Sequence, residues 1–293
     1  MLWPASLSKK IKTKINLTDY TSLKIGGPAK YFFEPKNLKS LQEVLVLAKQ
    51  FGIRVFVLGL GSNILVDDAG LDGLVIRLNN KDFKKSFCQG NYILVSSGIK
   101  LNTLIAFSKR KNLSGLEFLV GIPGTLGGSL MGNAGAWGMA IGGLVKQVGV
   151  LDYNGKFKIL KNKQLKFAYR KSNLSKYIIV WAKLKLRTLP KKMIAAKINE
   201  FLSRRKQSQN NKLPNAGCVF KNPASGSAGR LIDLCKLKGK VIGKAIISKR
   251  HANFILNQGH AKSQDVLSLM NLMQKKVKEK FKINLKPEIK IWK

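Results

Sequence analysis

Two glycine-rich stretches carry the first chemical signal in the chain. Gly59-Leu60-Gly61-Ser62-Asn63 follows the apolar run Arg54–Leu58. It would let backbone N–H groups approach a pyrophosphate, because glycine reaches turn angles and presents no side chain. A tight turn after a strand is the other reading of that pentapeptide, whose spacing is not the G-x-G-x-x-G that opens a dinucleotide-binding helix. The longer stretch is more specific: Gly121-Ile122-Pro123-Gly124-Thr125-Leu126-Gly127-Gly128-Ser129, continuing to Asn133-Ala134-Gly135-Ala136-Trp137-Gly138. Main chain so rich in glycine and free of charge suits wrapping around a large, flat, partly anionic ligand. Close helix packing through small residues is its rival. One such loop in each of two segments suggests a dinucleotide lodged between two α/β units.

The elements that would position these loops are legible from periodicity. Tyr31–Pro35 is strand-like, and Asn37 can cap a helix over Leu38–Phe51 with Leu41, Val44, Leu45 and Ala48 on one face. Strands are expected at Arg54–Leu58 and Leu74–Leu78, then at Tyr92–Ser96 ahead of a helix over Leu101–Lys109. Val148–Tyr153 and Lys156–Leu160 read as a hairpin closed by a two-residue Asn154-Gly155 turn. Ile178–Leu186 is another strand, and Pro190 leads into a polar helix, Met193–Lys206. Beyond it come strands near Cys218–Lys221 and Asn253–Asn257, a helix over Leu231–Leu237, and an amphipathic helix over Ser263–Phe281.

At 293 residues, with 45% hydrophobic and 23% charged, the chain can bury a sizeable core and is no basic disordered tail. Its net charge of +40 asks for an anionic partner. Yet only nine of the 54 basic residues are arginine, and the lysines are scattered from Lys9 to Lys293. The densest runs, Lys9–Lys14, Arg204–Lys206 and Lys275–Lys280, lack the interleaved aromatics that stack bases. The expectation is a solvated surface with no specific nucleic acid partner. Cys88, Cys218 and Cys235 have no metal-ligand spacing, so a reduced compartment and no metal are expected. Residues 1–14 have no apolar core of signal-peptide length, which points to the cytoplasm. Phe118–Val145 has no charged residue and is long enough to span a bilayer, but its glycines and Pro123 make a continuous helix costly. A buried loop region, with no membrane span, is the expectation.

Thr21-Ser22-Leu23-Lys24-Ile25-Gly26-Gly27-Pro28-Ala29, the two glycine loops, Tyr169-Arg170-Lys171-Ser172, Asn215-Ala216-Gly217-Cys218-Val219-Phe220-Lys221-Asn222-Pro223 and Pro287-Glu288 occur in that order. Together they resemble the UDP-N-acetylenolpyruvoylglucosamine reductase family, from about Thr21 to Trp292. The path through the third segment is similar to that of the compact subclass, which lacks an inserted substrate-covering loop. The resemblance implies an α+β chain. An FAD-binding fold of the vanillyl-alcohol-oxidase type would occupy two α/β subdomains, 1–82 and 83–190, with a smaller substrate domain at 191–293. It also implies reduction of an enolpyruvyl ether on a UDP-sugar, with FAD as cofactor and NADPH as reductant, in peptidoglycan precursor synthesis.

Carried onto this chain, the resemblance gives FAD Gly59, Gly61, Ser62, Asn63, Ile122, Pro123, Gly124, Thr125, Gly127, Gly128, Asn133 and Ala134. It makes Arg170, Cys218 and Glu288 catalytic. Reducing the double bond needs hydride at one carbon and a proton at its neighbour, with negative charge building on the carboxylate side in between. A guanidinium grips that carboxylate bidentately, the role expected of Arg170. The family commonly has serine where this chain has Cys218. A thiol, with an ordinary pKa of about 8.5, is expected to donate the proton in its place. Glu288 helps if it is protonated or hydrogen-bonds a bridging group, so a raised pKa from burial is expected. Lys221 and Asn222 are expected at the substrate's carboxylate or diphosphate, and Tyr169 and His251 are weaker candidates for lining it. Arg230 is expected to open a helix whose N-terminus attracts anions. Two rivals remain: an FAD oxidoreductase of the same fold with another substrate, and a polyanion-binding protein without catalysis.

Overall fold

The computed structural model describes residues 3–209 and 213–293, in which helices pack with sheets of mainly antiparallel strands, as the α+β reading requires. These residues form two compact units. One takes the chain through Thr13, Tyr31–Gly59 and Gly73–Arg204, and the other takes Lys14–Lys30, Leu60–Asp72 and Arg205–Lys293. Residues 14–30 and 60–72, which chain order assigns to the first segment 1–82, therefore lie in the second unit. The pairing of Ile64–Val66 with Lys290–Trp292 as parallel strands is one reason. The polar helix observed at Lys191–Gln209 also runs past the expected start of the third segment at 191, through Arg204 of the first unit.

The first unit holds two cores. In one, the helix Leu38–Gln50 starts where Asn37 accepts the Ser40 N–H at 3.0 Å and Ser40 Oγ accepts the Asn37 N–H at 3.2 Å. Leu41, Val44, Leu45 and Ala48 are fully buried with Phe33, Leu74 and Ile76, as the helical spacing requires. The strands Val55–Leu58 and Leu71–Arg77 pair in parallel within a four-stranded sheet. The second core lies under a five-stranded antiparallel sheet, ordered Phe157–Lys161, Val145–Leu151, Ile178–Lys185, Tyr92–Ser96 and Ser86–Gln89. Alternation sends Ile93, Val95, Ala182 and Leu184 inward against Leu101, Leu104, Leu126 and Leu130.

The hairpin in this sheet is longer-tipped than the sequence suggests. The Gly155 N–H donates to the Asp152 carbonyl at 3.0 Å and the Asp152 N–H to the Lys156 carbonyl at 3.1 Å, leaving three residues at the tip, with Gly155 left-handed at φ +77°. Asp152 Oδ1 accepts the N–H groups of Asn154 and Lys156, each at 3.0 Å, which favours this turn over the two-residue one. Its carboxyl pKa is moved by burial upward and by these bonds and Lys158 downward, with a lowered net value.

In the second unit, Asn215–Cys218, Phe254–Asn257, Ala245–Ile247 and Val241–Ile242 form a sheet in that order. The helix Ser263–Phe281 buries Val266, Leu269, Met270, Met273 and Val277 in the core of this unit. The uncharged stretch contains one six-residue α-helix, Leu126–Met131, and among the described residues no helix is long and apolar enough to cross a membrane.

Because the Asn37 cap satisfies an otherwise orphaned helix donor, Asn37→Ala is expected to cost about 1 kcal/mol. Urea denaturation reads the loss, and an unshifted midpoint would contradict the capping role.

Candidate functional site

The glycine-rich segment of the first unit is built around the turn into Leu126–Met131. Thr125 caps that helix, its Oγ1 accepting the Gly128 N–H at 3.3 Å. The Leu126 N–H donates to the Ile99 carbonyl at 2.9 Å and the Gly127 N–H to the Ser97 carbonyl at 2.8 Å, which lays the helix against the end of Tyr92–Ser96. A Cβ on Gly127 would come 3.1 Å from that of Ser97, and one on Gly59 would lie 2.9 Å from Thr125 Oγ1. Ser97 Oγ is buried here and has no hydrogen-bond partner among the described residues.

Asn133 closes the segment. Its backbone is left-handed, φ +46°, and its side chain is buried. Its amide donates to the Ala168 carbonyl at 2.9 Å and accepts the Gly142 N–H at 3.0 Å. Ala134 takes both directions of the main chain, donating to Ser129 at 2.7 Å and accepting from Ile141 at 2.9 Å. Arg170 sits at the tip between Phe167–Ala168 and Lys171–Ser172, also left-handed at φ +52°, and its Nη1 donates to the Gly135 carbonyl at 2.9 Å. Its guanidinium lies 5.6 Å from the ring of Tyr169, which is 56% exposed. Ser172 Oγ adds a bond to the Met131 carbonyl at 2.9 Å. Arg170 is thus tied directly to the glycine-rich segment, with Tyr169 beside it.

The second unit gathers the other candidates. The strand Asn215–Cys218 ends at Cys218, not at Lys221 as expected. Gly217 turns left-handed at φ +75°, and the side-chain amide of Asn253 takes over the next residues. Asn253 accepts the Phe220 N–H at 3.0 Å and donates to the Phe220 carbonyl at 2.8 Å, while its own carbonyl accepts the Val219 N–H at 2.8 Å. On the other side, the Glu288 N–H donates to the Val219 carbonyl at 2.8 Å and the Lys221 N–H to the Lys286 carbonyl at 2.9 Å. Cys218, Lys221 and Glu288 therefore flank one braced segment, with Cys218 and Glu288 both part-buried. Asn63 Nδ2 donates to the Glu288 carbonyl at 3.3 Å, and Gly61, left-handed at φ +63°, accepts Ser22 N–H at 3.1 Å. Ser62 lies between them in the chain. A Cβ on Gly61 would run into the Tyr20 carbonyl oxygen.

Asn222 Oδ1 accepts the Ala228 N–H at 3.0 Å, beside a helix that spans Ala228–Leu234 instead of Leu231–Leu237. Ser227 caps it earlier than expected, so Arg230 lies inside its first turn and is exposed. His251 packs on Phe254 at 4.8 Å, and its Nδ1 accepts the Asn253 N–H at 3.3 Å. Burial lowers the His251 pKa, the charge of Lys238 adds to this, and a backbone hydrogen bond opposes it. Desolvation of its ammonium group, followed by the neighbouring charge of Lys221, lowers the pKa of Lys290, although the residue as a whole is exposed. Ser97 and Asn253 are absent from the site residues expected above. Asn253 had a signal, a polar residue inside the apolar run Ala252–Leu256, whereas Ser97 had none. Among the described residues no group of three His, Cys, Asp or Glu could hold a metal.

The domain family described as UDP-N-acetylenolpyruvoylglucosamine reductase, C-terminal domain, matches residues 207–292, and the FAD binding domain matches residues 29–161. The chain is 36% identical to the UDP-N-acetylenolpyruvoylglucosamine reductase of Clostridium novyi, over 97% of this chain and 92% of that one. It is 40% identical to that of Caldanaerobacter subterraneus subsp. tengcongensis, over 93% and 90%. The crystal structure of UDP-N-acetylenolpyruvylglucosamine reductase (MurB) from Thermus caldophilus superimposes with a TM-score of 0.84 at 36% identity, over 97% of this chain and 100% of that one.

Because the folded state holds the His251 proton less firmly than the unfolded chain, its contribution to stability is full above the ordinary value of 6.5 and falls as pH drops through the folded value. The urea midpoint of the native chain is expected to fall between pH 7.5 and 5.5 more steeply than that of His251→Gln. Equal slopes would contradict the burial argument.

Proposed function

The chain belongs to the UDP-N-acetylenolpyruvoylglucosamine reductase family, and we infer from this that it reduces the enolpyruvyl ether of UDP-N-acetylglucosamine enolpyruvate to UDP-N-acetylmuramate for peptidoglycan synthesis. It is an FAD-dependent oxidoreductase with NADPH as reductant. The fold is the flavin-binding α+β fold expected from the resemblance. The observation that carries the reading is the glycine-rich segment of the first unit, where the main chain approaches Ser97 and Thr125 too closely for side chains at Gly127 and Gly59 and a buried serine hydroxyl is left over. Such a cradle fits a flavin dinucleotide. We assign to FAD the main chain of Ile122–Thr125, Gly127, Gly128, Asn133 and Ala134, with Gly59, Gly61, Ser62 and Asn63 on its pyrophosphate.

Bound FAD would supply the hydride that NADPH provides. The protein handles the charge and the proton. Arg170, its Nη1 fixed on Gly135, stabilises the negative charge that builds on the substrate carboxylate. Cys218 delivers the proton to the carbon next to the one receiving hydride, which completes the saturated lactyl ether and leaves a thiolate that solvent reprotonates. Glu288, held by its backbone beside Val219, hydrogen-bonds the developing charge or a bridging water. Lys221 and Asn222 grip the diphosphate, with Arg230, Tyr169 and His251 lining the bound sugar nucleotide. We place the enzyme in the cytoplasm, where both its nucleotide substrates would be found.

Replacing Cys218 with alanine is expected to leave flavin reduction by NADPH intact and to slow reoxidation by the enolpyruvyl substrate by about 10²–10⁴-fold, the usual worth of a positioned proton donor. Cys218→Ser should recover most of the rate. Anaerobic stopped-flow absorbance follows both half-reactions. Unchanged reoxidation in Cys218→Ala would remove the thiol from the mechanism, and a native enzyme that the substrate does not reoxidise would favour another substrate on the same fold.

A further inference from the structure

We propose that the outer face of the five-stranded sheet in the first unit binds the surface of an anionic lipid bilayer. Cross-strand register fixes what this face presents. One row runs Phe87, Leu94, Lys183, Gln147 and Lys161, and the next runs Gln89, Tyr92 and Lys185. A third runs Ser96, Trp181, Gly149 and Ile159, with the Trp181 ring laid where a Gly149 side chain would stand. The opposite face of the sheet is a buried core, so the first two rows point away from it, whereas Trp181 in the third row is half-buried against the unit's other core. Phe87 is 61% exposed, Ile159 50% and Leu94 39%. Phe87 and Leu94 are cross-strand partners, and Phe87 sits on the edge strand Ser86–Gln89.

Cations surround this apolar strip. Lys183 and Lys185 hold their ammonium groups 4.7 Å and 6.0 Å from the Tyr92 ring. Both line a hollow of about 680 Å³ with Gln89, Gly90, Asn91 and Tyr92, and no carboxylate takes part. None of the three rows contains an acidic residue. Two ammonium groups converging on one ring repel each other, and an anion settling between them removes that cost. Nucleic acid would use the lysines but leave Phe87, Leu94 and Ile159 in water. A bilayer interface satisfies both parts, taking the apolar side chains at the acyl boundary, the aromatic rings at headgroup level, and the lysines on anionic headgroups.

A net charge of +40 will attract any anionic vesicle at low salt, so the discriminating property is binding that survives screening. The test is co-sedimentation of the holoenzyme at 0.3 M salt (on the order of a 6 Å screening length) with vesicles of phosphatidylglycerol and phosphatidylcholine, and with phosphatidylcholine alone. The native enzyme should partition onto the anionic vesicles only. F87S/L94S should weaken that partition at least tenfold and K183Q/K185Q at least fivefold, with flavin content unchanged as the sign of an intact fold. Val241→Ser and K275Q/K278Q, which alter exposed residues of the second unit, should bind as the native enzyme does. Failure of the native enzyme to bind, or equal loss in the control variants, would overturn the proposal. So would Phe87-dependent binding found only with a single-stranded oligonucleotide, an acidic protein or a second copy of the chain.

Discussion

The side-chain amide of Asn133 is the contact on which the rest of the first unit's site depends. It spans two backbone groups, the Ala168 carbonyl and the Gly142 N–H, that no regular element would bring together. Glycine-rich main chain has many conformations to lose on folding, and leaving either buried partner unsatisfied would cost about 1–3 kcal/mol. With Asn133 in place the segment holds one path, and Gly135 is presented to Arg170 at 2.9 Å. The guanidinium is therefore positioned by the same main chain that is assigned to the cofactor.

The second unit uses the same device with different residues. Asn253, 1% exposed, holds both main-chain groups of Phe220 and so fixes the segment between Cys218 and Lys221. Glu288 is joined to that segment through the Val219 carbonyl, and through Asn63 to the loop after Gly61. In each unit a buried asparagine organises irregular backbone, and the side chains assigned to chemistry hang from that backbone. This explains how, within each unit, loops with little regular structure beneath them hold the side chains assigned to catalysis.

Much of this was readable in the sequence where periodicity reports burial. The Leu41, Val44, Leu45 and Ala48 face and the helix Ser263–Phe281 appear where their spacing puts them. The missing charge in Phe118–Val145 pointed to buried main chain, because buried backbone excludes charged side chains, and that stretch holds the segment assigned to the cofactor. What sequence could not give was contact at long range. Residues 60–72 join the second unit through a parallel pairing with the end of the chain, some two hundred residues away, and local pattern says nothing of such partners. The Asp152 turn and the early start of Ala228–Leu234 were missed for a local reason, since single side-chain caps outbid the average preference of the residues around them. The lysine excess says little about the reaction itself, which the motifs and the relatives identify.

The central claim is that the glycine-rich segment, held by Asn133, is the seat of the flavin. Titrating FAD into apoenzyme by calorimetry, with the native chain and Asn133→Ala compared at equal secondary-structure content, tests it directly. The account predicts at least tenfold weaker FAD binding in the variant. Equal affinity in the two proteins would contradict it and send the search for the flavin site elsewhere in the chain.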